Sequence, residues 1–421
     1  MTRLLGLGGL ALGGLGLGGL ALGGLALGGL GCAEVGVPAH PDGPIWANRP
    51  SGAMSVVARR ALAIAGDRSG EHFERAVAAI DAPNRRLFVG TSDGGLHSLD
   101  AATLTSRWRF STGGGVESEP LYSAADDSVY FGSNDGGVYK LRAADGKLLW
   151  RVGTNAKILC APVLVGEALF VVDANDTLLC IEAGTGKLKW FRQRQPAAGM
   201  EISGNAGPAV HGGLIVTGFS DGVVNAYRTH DGSEAWAAPV DLNAQAAESG
   251  AADAIRYLDV DTTPVIASVD GEELVFVSSY ETGTYALYLA SGAEAWHNDG
   301  VKGATDLVLW SGALRDGGDK RVLVASSGLG GLSGLEPSTG RELWHRNLEA
   351  GGVTAVEPWA GALLVGTSRY GLFLVHPLDG GVIDGVGQGA SFAARPSAHG
   401  LHAYALSNDG VLLGLGITPP R

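Results

Sequence analysis

The sequence predicts an all-β fold, an eight-bladed β-propeller of four-stranded antiparallel blades, on three signals that run in phase along the chain. The first is a phrase ending in Trp. It reads LDAATLTSRW at 99–108, LRAADGKLLW at 141–150, IEAGTGKLKW at 181–190, YRTHDGSEAW at 227–236, LYLASGAEAW at 287–296 and LEPSTGRELW at 335–344, with a decayed copy, VHPLDGGVID, at 375–384. A period of 40 to 60 residues is that of one four-stranded blade per repeat.

The second signal is a tight-turn sequence ahead of each phrase. These are Ser92-Asp93-Gly94, Asn134-Asp135-Gly136, Asn175-Asp176, Ser220-Asp221-Gly222, Glu281-Thr282-Gly283, Leu329-Gly330, Arg369-Tyr370-Gly371 and Asn408-Asp409-Gly410. Asn, Asp and Gly accept the positive φ that two-residue hairpins require, and short alternating strands flank them. The third signal is a proline opening each unit, at Glu119-Pro120, Ala161-Pro162, Gly207-Pro208, Thr263-Pro264, Glu357-Pro358 and Arg395-Pro396. Lacking an N–H, proline suits the first residue of a strand or an edge strand such as the innermost one of a blade. Eight turns face seven phrases, so the eighth outer strand is expected from the N-terminal side, within Met54 to Ala65. The alternative is a seven-bladed ring with an incomplete extra unit.

A Trp at one fixed place per repeat is read as packing between blades rather than as a stacking platform for a ligand. The Gly-Lys pairs before some of them belong to turns and lack the following helix of a phosphate loop. Hydrophobic residues form 45% of the chain and charged ones 17%, enough for a large core. The net charge of −13 repels phosphate backbones, which argues against nucleic acid as a partner.

The N-terminus reads as an address. Residues 1–31 run from one Arg into a stretch of Leu, Gly and Ala and end before Cys32, the pattern of a secretory signal. A Cys directly after the cut resembles a bacterial lipoprotein signal, which makes Cys32 the lipidation site, although Gly29 stands where a larger aliphatic residue is usual. An uncleaved membrane anchor is the competing reading, but 13 glycines in 31 residues make a poor helix. Plain secretion is the third. Glu34 carries no mark of inner-membrane retention, so the expected place is the periplasmic face of the outer membrane. Residues 32–54, rich in Pro, Gly and Ala, read as a flexible tether, and 55–421 as the propeller.

The phrase A-x-D/T-G-x-x-x-W resembles the repeat of pyrroloquinoline-quinone-type propellers, over about residues 70–417. Within that superfamily, Asp259-Val260-Asp261-Thr262-Thr263-Pro264 is similar to a stretch of the BamB lipoproteins of outer-membrane β-barrel assembly. It follows the longest insertion, about 237–257. A second BamB feature, a loop with two Leu and an Arg before Gly-x-x-x-Pro, is matched by Met200, Ile202 and Ser203 before Gly204 to Pro208. Ser203 replaces the Arg, so any ion pair made there is in doubt. The resemblance implies a non-catalytic scaffold that binds periplasmic domains of BamA through Met200, Ile202, Asp259 and Asp261. The plainer reading is that the two Asp cap a loop and the two apolar residues pack locally.

Quinone-dependent dehydrogenases of this fold often carry adjacent cysteines over the cofactor, and this chain has no Cys-Cys pair, so no cofactor is expected. Cys160 and Cys180 are placed in the first and third strands of one blade, too far apart for a disulfide. His399 and His402 lie on a turn into a strand with no further ligand cluster, and no metal is expected. An enzyme, or another extracytoplasmic binding or sensing propeller, remains the alternative.

Overall fold

The computed structural model describes residues 51–62, 74–195, 206–240, 259–313, 319–328, 330–347, 352–386 and 391–418. These form eight four-stranded antiparallel sheets arranged as a propeller. In blade 2 the strands run Leu121–Ser123, Ser128–Gly132, Gly137–Arg142 and Leu148–Gly153, from the axis outward. The second and third strands are almost wholly buried and the fourth is not, because each middle strand is covered on both faces by neighbouring blades.

The hairpin turns carry the expected positive φ, at Gly94, Gly136, Asp176, Gly222, Gly283, Gly371 and Gly410. In the sixth repeat it falls on Gly331, one residue past the expected Gly330. Pro120, Pro162, Pro208, Pro264 and Pro396 each stand immediately before a first strand. Pro358 departs from this pattern: it lies inside Val353–Trp359, which extends further toward the preceding connection.

Each Trp locks one blade to the next. The Trp108 ring lies against Gly146, where an added Cβ would sit 2.7 Å from the indole, and Trp150, Trp190, Trp236, Trp296 and Trp344 meet Gly186, Gly232, Gly292, Gly340 and Gly380 in the same way. In five of the six the indole N–H donates to a carbonyl of the following blade: Trp108 to Ala143 (3.0 Å), Trp150 to Ala183 (3.0 Å), Trp236 to Leu289 (2.8 Å), Trp296 to Pro337 (2.8 Å) and Trp344 to Pro377 (2.9 Å), whereas the Trp190 Nε1 has no such partner. A ring of this size can bury on the order of 150–250 Å², so each adds a large apolar contact to its boundary.

The eighth blade is closed by Met54–Ala61, which pairs with Val411–Ile417. Two boundaries are rebuilt to receive it. In blade 7 the Trp position is Asp384, paired with Leu374 as Trp344 is with Gly334. Its carboxylate accepts the N–H groups of Ser51 (2.9 Å) and Met54 (2.8 Å). In blade 8 the Trp position is Ala58, opposite Gly414. Here the turn glycine of the next blade is replaced by Leu104, which keeps the left-handed φ of 55°, is fully buried and packs with Ala58. The hydroxyl of Tyr404 donates to the Ala101 carbonyl (2.9 Å), a bond made elsewhere by the indole.

Candidate functional site

Asp259 to Pro264 lead into the first strand of blade 5, Val265–Val269. Three anchors hold this segment. Val260 donates its N–H to the Phe219 carbonyl (3.3 Å), bridges Ser279 and packs over Gly218, where a Cβ would sit 2.4 Å from its Cγ1. Thr262 is buried and its hydroxyl accepts the Ser278 N–H (2.8 Å). The Thr263 hydroxyl accepts the Gly207 N–H (3.0 Å). Gly207 belongs to the other family-like phrase, Gly204 to Pro208, so the described ends of the two phrases touch.

The carboxylates are sunk rather than displayed. Asp259 is 6% exposed, and Asp261 is half-buried with Oδ1 lacking a hydrogen-bond partner. Burial, and then the nearby Asp259 charge, push the Asp261 carboxyl up to about 8. A carboxyl raised this far favours its protonated form at neutral pH, the form that is able to donate a hydrogen bond where an ordinary aspartate only accepts. Met200, Ile202 and Cys32 lie outside the described residues.

A second polar centre, formed by the blades' first strands, was not singled out in the sequence. Arg395 lies 3.0 Å from Glu119 and 3.9 Å from Glu357. Burial works against its cation, but Asp306, Glu119 and Glu357 outweigh it and keep the guanidinium charged. Burial pushes Glu357 up to about 7, with Arg395 opposing and Glu119 and Asp306 adding. Burial also raises Asp306, whose carboxylate accepts the Val356 N–H (3.2 Å). The available signal was charge beside the unit-opening prolines, in Glu119-Pro120, Glu357-Pro358 and Arg395-Pro396.

Cys180 lies in a third strand, Thr177–Glu182, while Cys160 precedes the first strand of its blade rather than lying in it, and the two do not form a disulfide with each other. Burial pushes Cys160 up to about 12 and Cys180 up to about 11, which leaves them protonated and unreactive at neutral pH. His399 and His402 face each other across a hairpin, and among the described residues no three His, Cys, Asp or Glu side chains converge as a metal site would need.

The eight-bladed ring, its Trp-to-Gly boundaries and the Asp259 to Pro264 segment define a propeller of the pyrroloquinoline-quinone repeat class. The family described as outer membrane protein assembly factor BamB matches residues 92–314, and the chain belongs to that family. The BamB of Yersinia pestis is 28% identical over 224 residues, 53% of this chain and 52% of that one, so the chain spans about half the length of the curated relatives it matches. The crystal structure of BamB from Moraxella catarrhalis superposes with a TM-score of 0.69 at 19% identity, over 86% of this chain and all of that one. A quinohemoprotein alcohol dehydrogenase from Pseudomonas putida HK5 superposes at 0.60 with 12% identity, over 90% of this chain and 79% of that one. These likenesses to solved structures are of fold alone.

Proposed function

We propose that this chain is a non-catalytic scaffold of outer-membrane β-barrel assembly, tethered to the periplasmic face of the outer membrane by lipid on Cys32 after removal of residues 1–31. Its partner is a set of BamA-like periplasmic domains. The partner meets the face that carries Asp259 to Pro264 and the adjoining Gly207, with Met200 and Ile202 as further proposed contacts. The observation that carries this reading is the Gly207 to Thr263 hydrogen bond, which joins the two family-like phrases in one place. The names of the relatives and the lack of an adjacent cysteine pair support a non-catalytic role.

Affinity capture of the full chain from detergent extracts of its own membranes tests the reading. Recovery of a BamA-like protein is expected, and a different stable partner overturns it. Asp259→Arg with Asp261→Arg should weaken recovery. Because both carboxyls are buried, Asp261→Asn serves as the gentler variant, with Trp fluorescence reporting that the blades are intact. Full recovery by both variants removes these residues from the interface.

A further inference from the structure

The outer strands are where the blades differ most. Two positions before the Trp, blades 4, 5 and 6 carry Glu234, Glu294 and Glu342, whereas blades 2 and 3 carry Leu148 and Leu188. Both leucines are 42% exposed, and Leu149 at 47% and Phe191 at 52% stand beside them. Half of the large apolar side chains left open to solvent among the described residues thus lie on two neighbouring edge strands, Leu148–Gly153 and Leu188–Gln193. Lys147, Lys187 and Lys189 are exposed among them, and none is paired with a carboxylate among the described residues. Arg151 and Arg192 flank the patch, the latter donating to the carbonyls of Gly232 and Asp231.

In a chain of net charge −13 this is a local reversal of sign. Basic residues recur around the ring: the outer strand of blade 1 carries Arg107 and Arg109, paired with Asp100 and Asp93, and that of blade 8 carries Arg59 and Arg60. The strand with Arg59 and Arg60 is the one the chain enters from its N-terminal side. The basic half of the rim is therefore the half continuous with the segment leading back to Cys32.

We propose that the outer edge of blades 2 and 3 rests on an anionic lipid surface. Leu148, Leu149, Leu188 and Phe191 enter the boundary between headgroups and acyl chains, and Lys147, Lys187 and Lys189 face lipid phosphates. This rests on the tethered, membrane-facing reading given above. Basic residues interleaved with Leu and Phe are what an anionic interface attracts and shallowly buries. The four apolar groups stand exposed on two neighbouring edge strands, interleaved with lysines, which suits a charged, deformable surface.

The test uses the full chain with Gln193→Cys as a probe, an exposed position on the blade 3 edge, anchored on vesicles of phosphatidylcholine alone or with one-third phosphatidylglycerol. The rate of modification by a membrane-impermeant maleimide is read against the chain without the probe. At low salt we expect modification about fivefold slower on the anionic vesicles, with the difference abolished by high salt. The triple variant Lys147→Glu, Lys187→Glu, Lys189→Glu should also abolish it. Equal rates on both vesicles overturn the proposal. So does protection that persists in the triple variant, or that requires added membrane-protein extract, the latter pointing to a protein partner. The triple variant should still recover the assembly partner, which separates failure here from failure of the scaffold reading.

Discussion

The Asp384 carboxylate accepts the N–H of Met54 at 2.8 Å, joining residues 330 positions apart in the chain. It also holds the Ser51 N–H at 2.9 Å. Both bonds tie the start of the closing strand to the blade before it. Asp384→Ala strands these donors and should lower the unfolding free energy by about 1.5–3 kcal/mol, as for hydrogen bonds to a charged group. Asp384→Asn should lose less. Urea unfolding followed by Trp fluorescence measures both, and a loss equal to that of an exposed-surface alanine variant refutes the role.

Leu104 and Gly146 occupy the same turn position in adjacent blades with opposite demands. Leu104→Gly relieves a left-handed φ but empties a fully buried site against Ala58, so a net loss of about 2–4 kcal/mol is expected. Gly146→Ala adds a Cβ 2.7 Å from the Trp108 ring at a φ of 72° and should also destabilise, by about 1–3 kcal/mol. Ala58→Trp with Leu104→Gly, which restores the pattern of the other boundaries, should recover part of the Leu104→Gly loss. Non-additive midpoints in the double variant report that coupling.

Asp261 links stability to pH. Its folded-state pKa of about 8 lies above the ordinary carboxyl value, so its contribution is complete at low pH and is lost as pH rises toward and through 8. Wild-type unfolding free energy should fall between pH 5 and pH 8, with this group adding no more than about 1.4 kcal/mol per pH unit. Asp261→Asn should fall less steeply over the same interval. Parallel slopes for the two proteins argue against the shift.

Arg395 neutralises Glu119, Asp306 and Glu357. Arg395→Met leaves three carboxylates facing one another, with an expected loss of about 1–3 kcal/mol at pH 8. The loss should shrink at pH 5, because Asp306 and Glu357, already raised, then take up protons. A pH-independent loss would mean that packing alone accounts for the arginine.

The ring was legible in the sequence because each signal is local and repeated. A turn glycine, an opening proline and a Trp phrase state their roles wherever they occur, and the closing strand followed from counting turns against phrases. Asp384 was legible only as a decayed Trp. Its bonds to Ser51 and Met54 require knowing which strand arrives there. The carboxylates of Asp259 and Asp261 were found by resemblance, yet their burial was not, because depth is set by Val260 and Thr262 docking on blades 4 and 5. Glu119, Glu357 and Arg395 were seen only as neighbours of prolines. Their meeting depends on ring closure, which no single repeat encodes.

The closing strand also sets an order of events. Met54–Ala61 precedes every other described strand in the chain, yet its sheet partner among the described residues is Val411–Ile417, the last strand of the ring. Until that partner has been made, the segment has no strand to pair with, the kind of edge that invites pairing with other chains. Its Arg59 and Arg60 are the charges that discourage such pairing. Completion waits on one of the most distant sheet pairings in the chain, the kind of contact that carries the largest loop-closure cost.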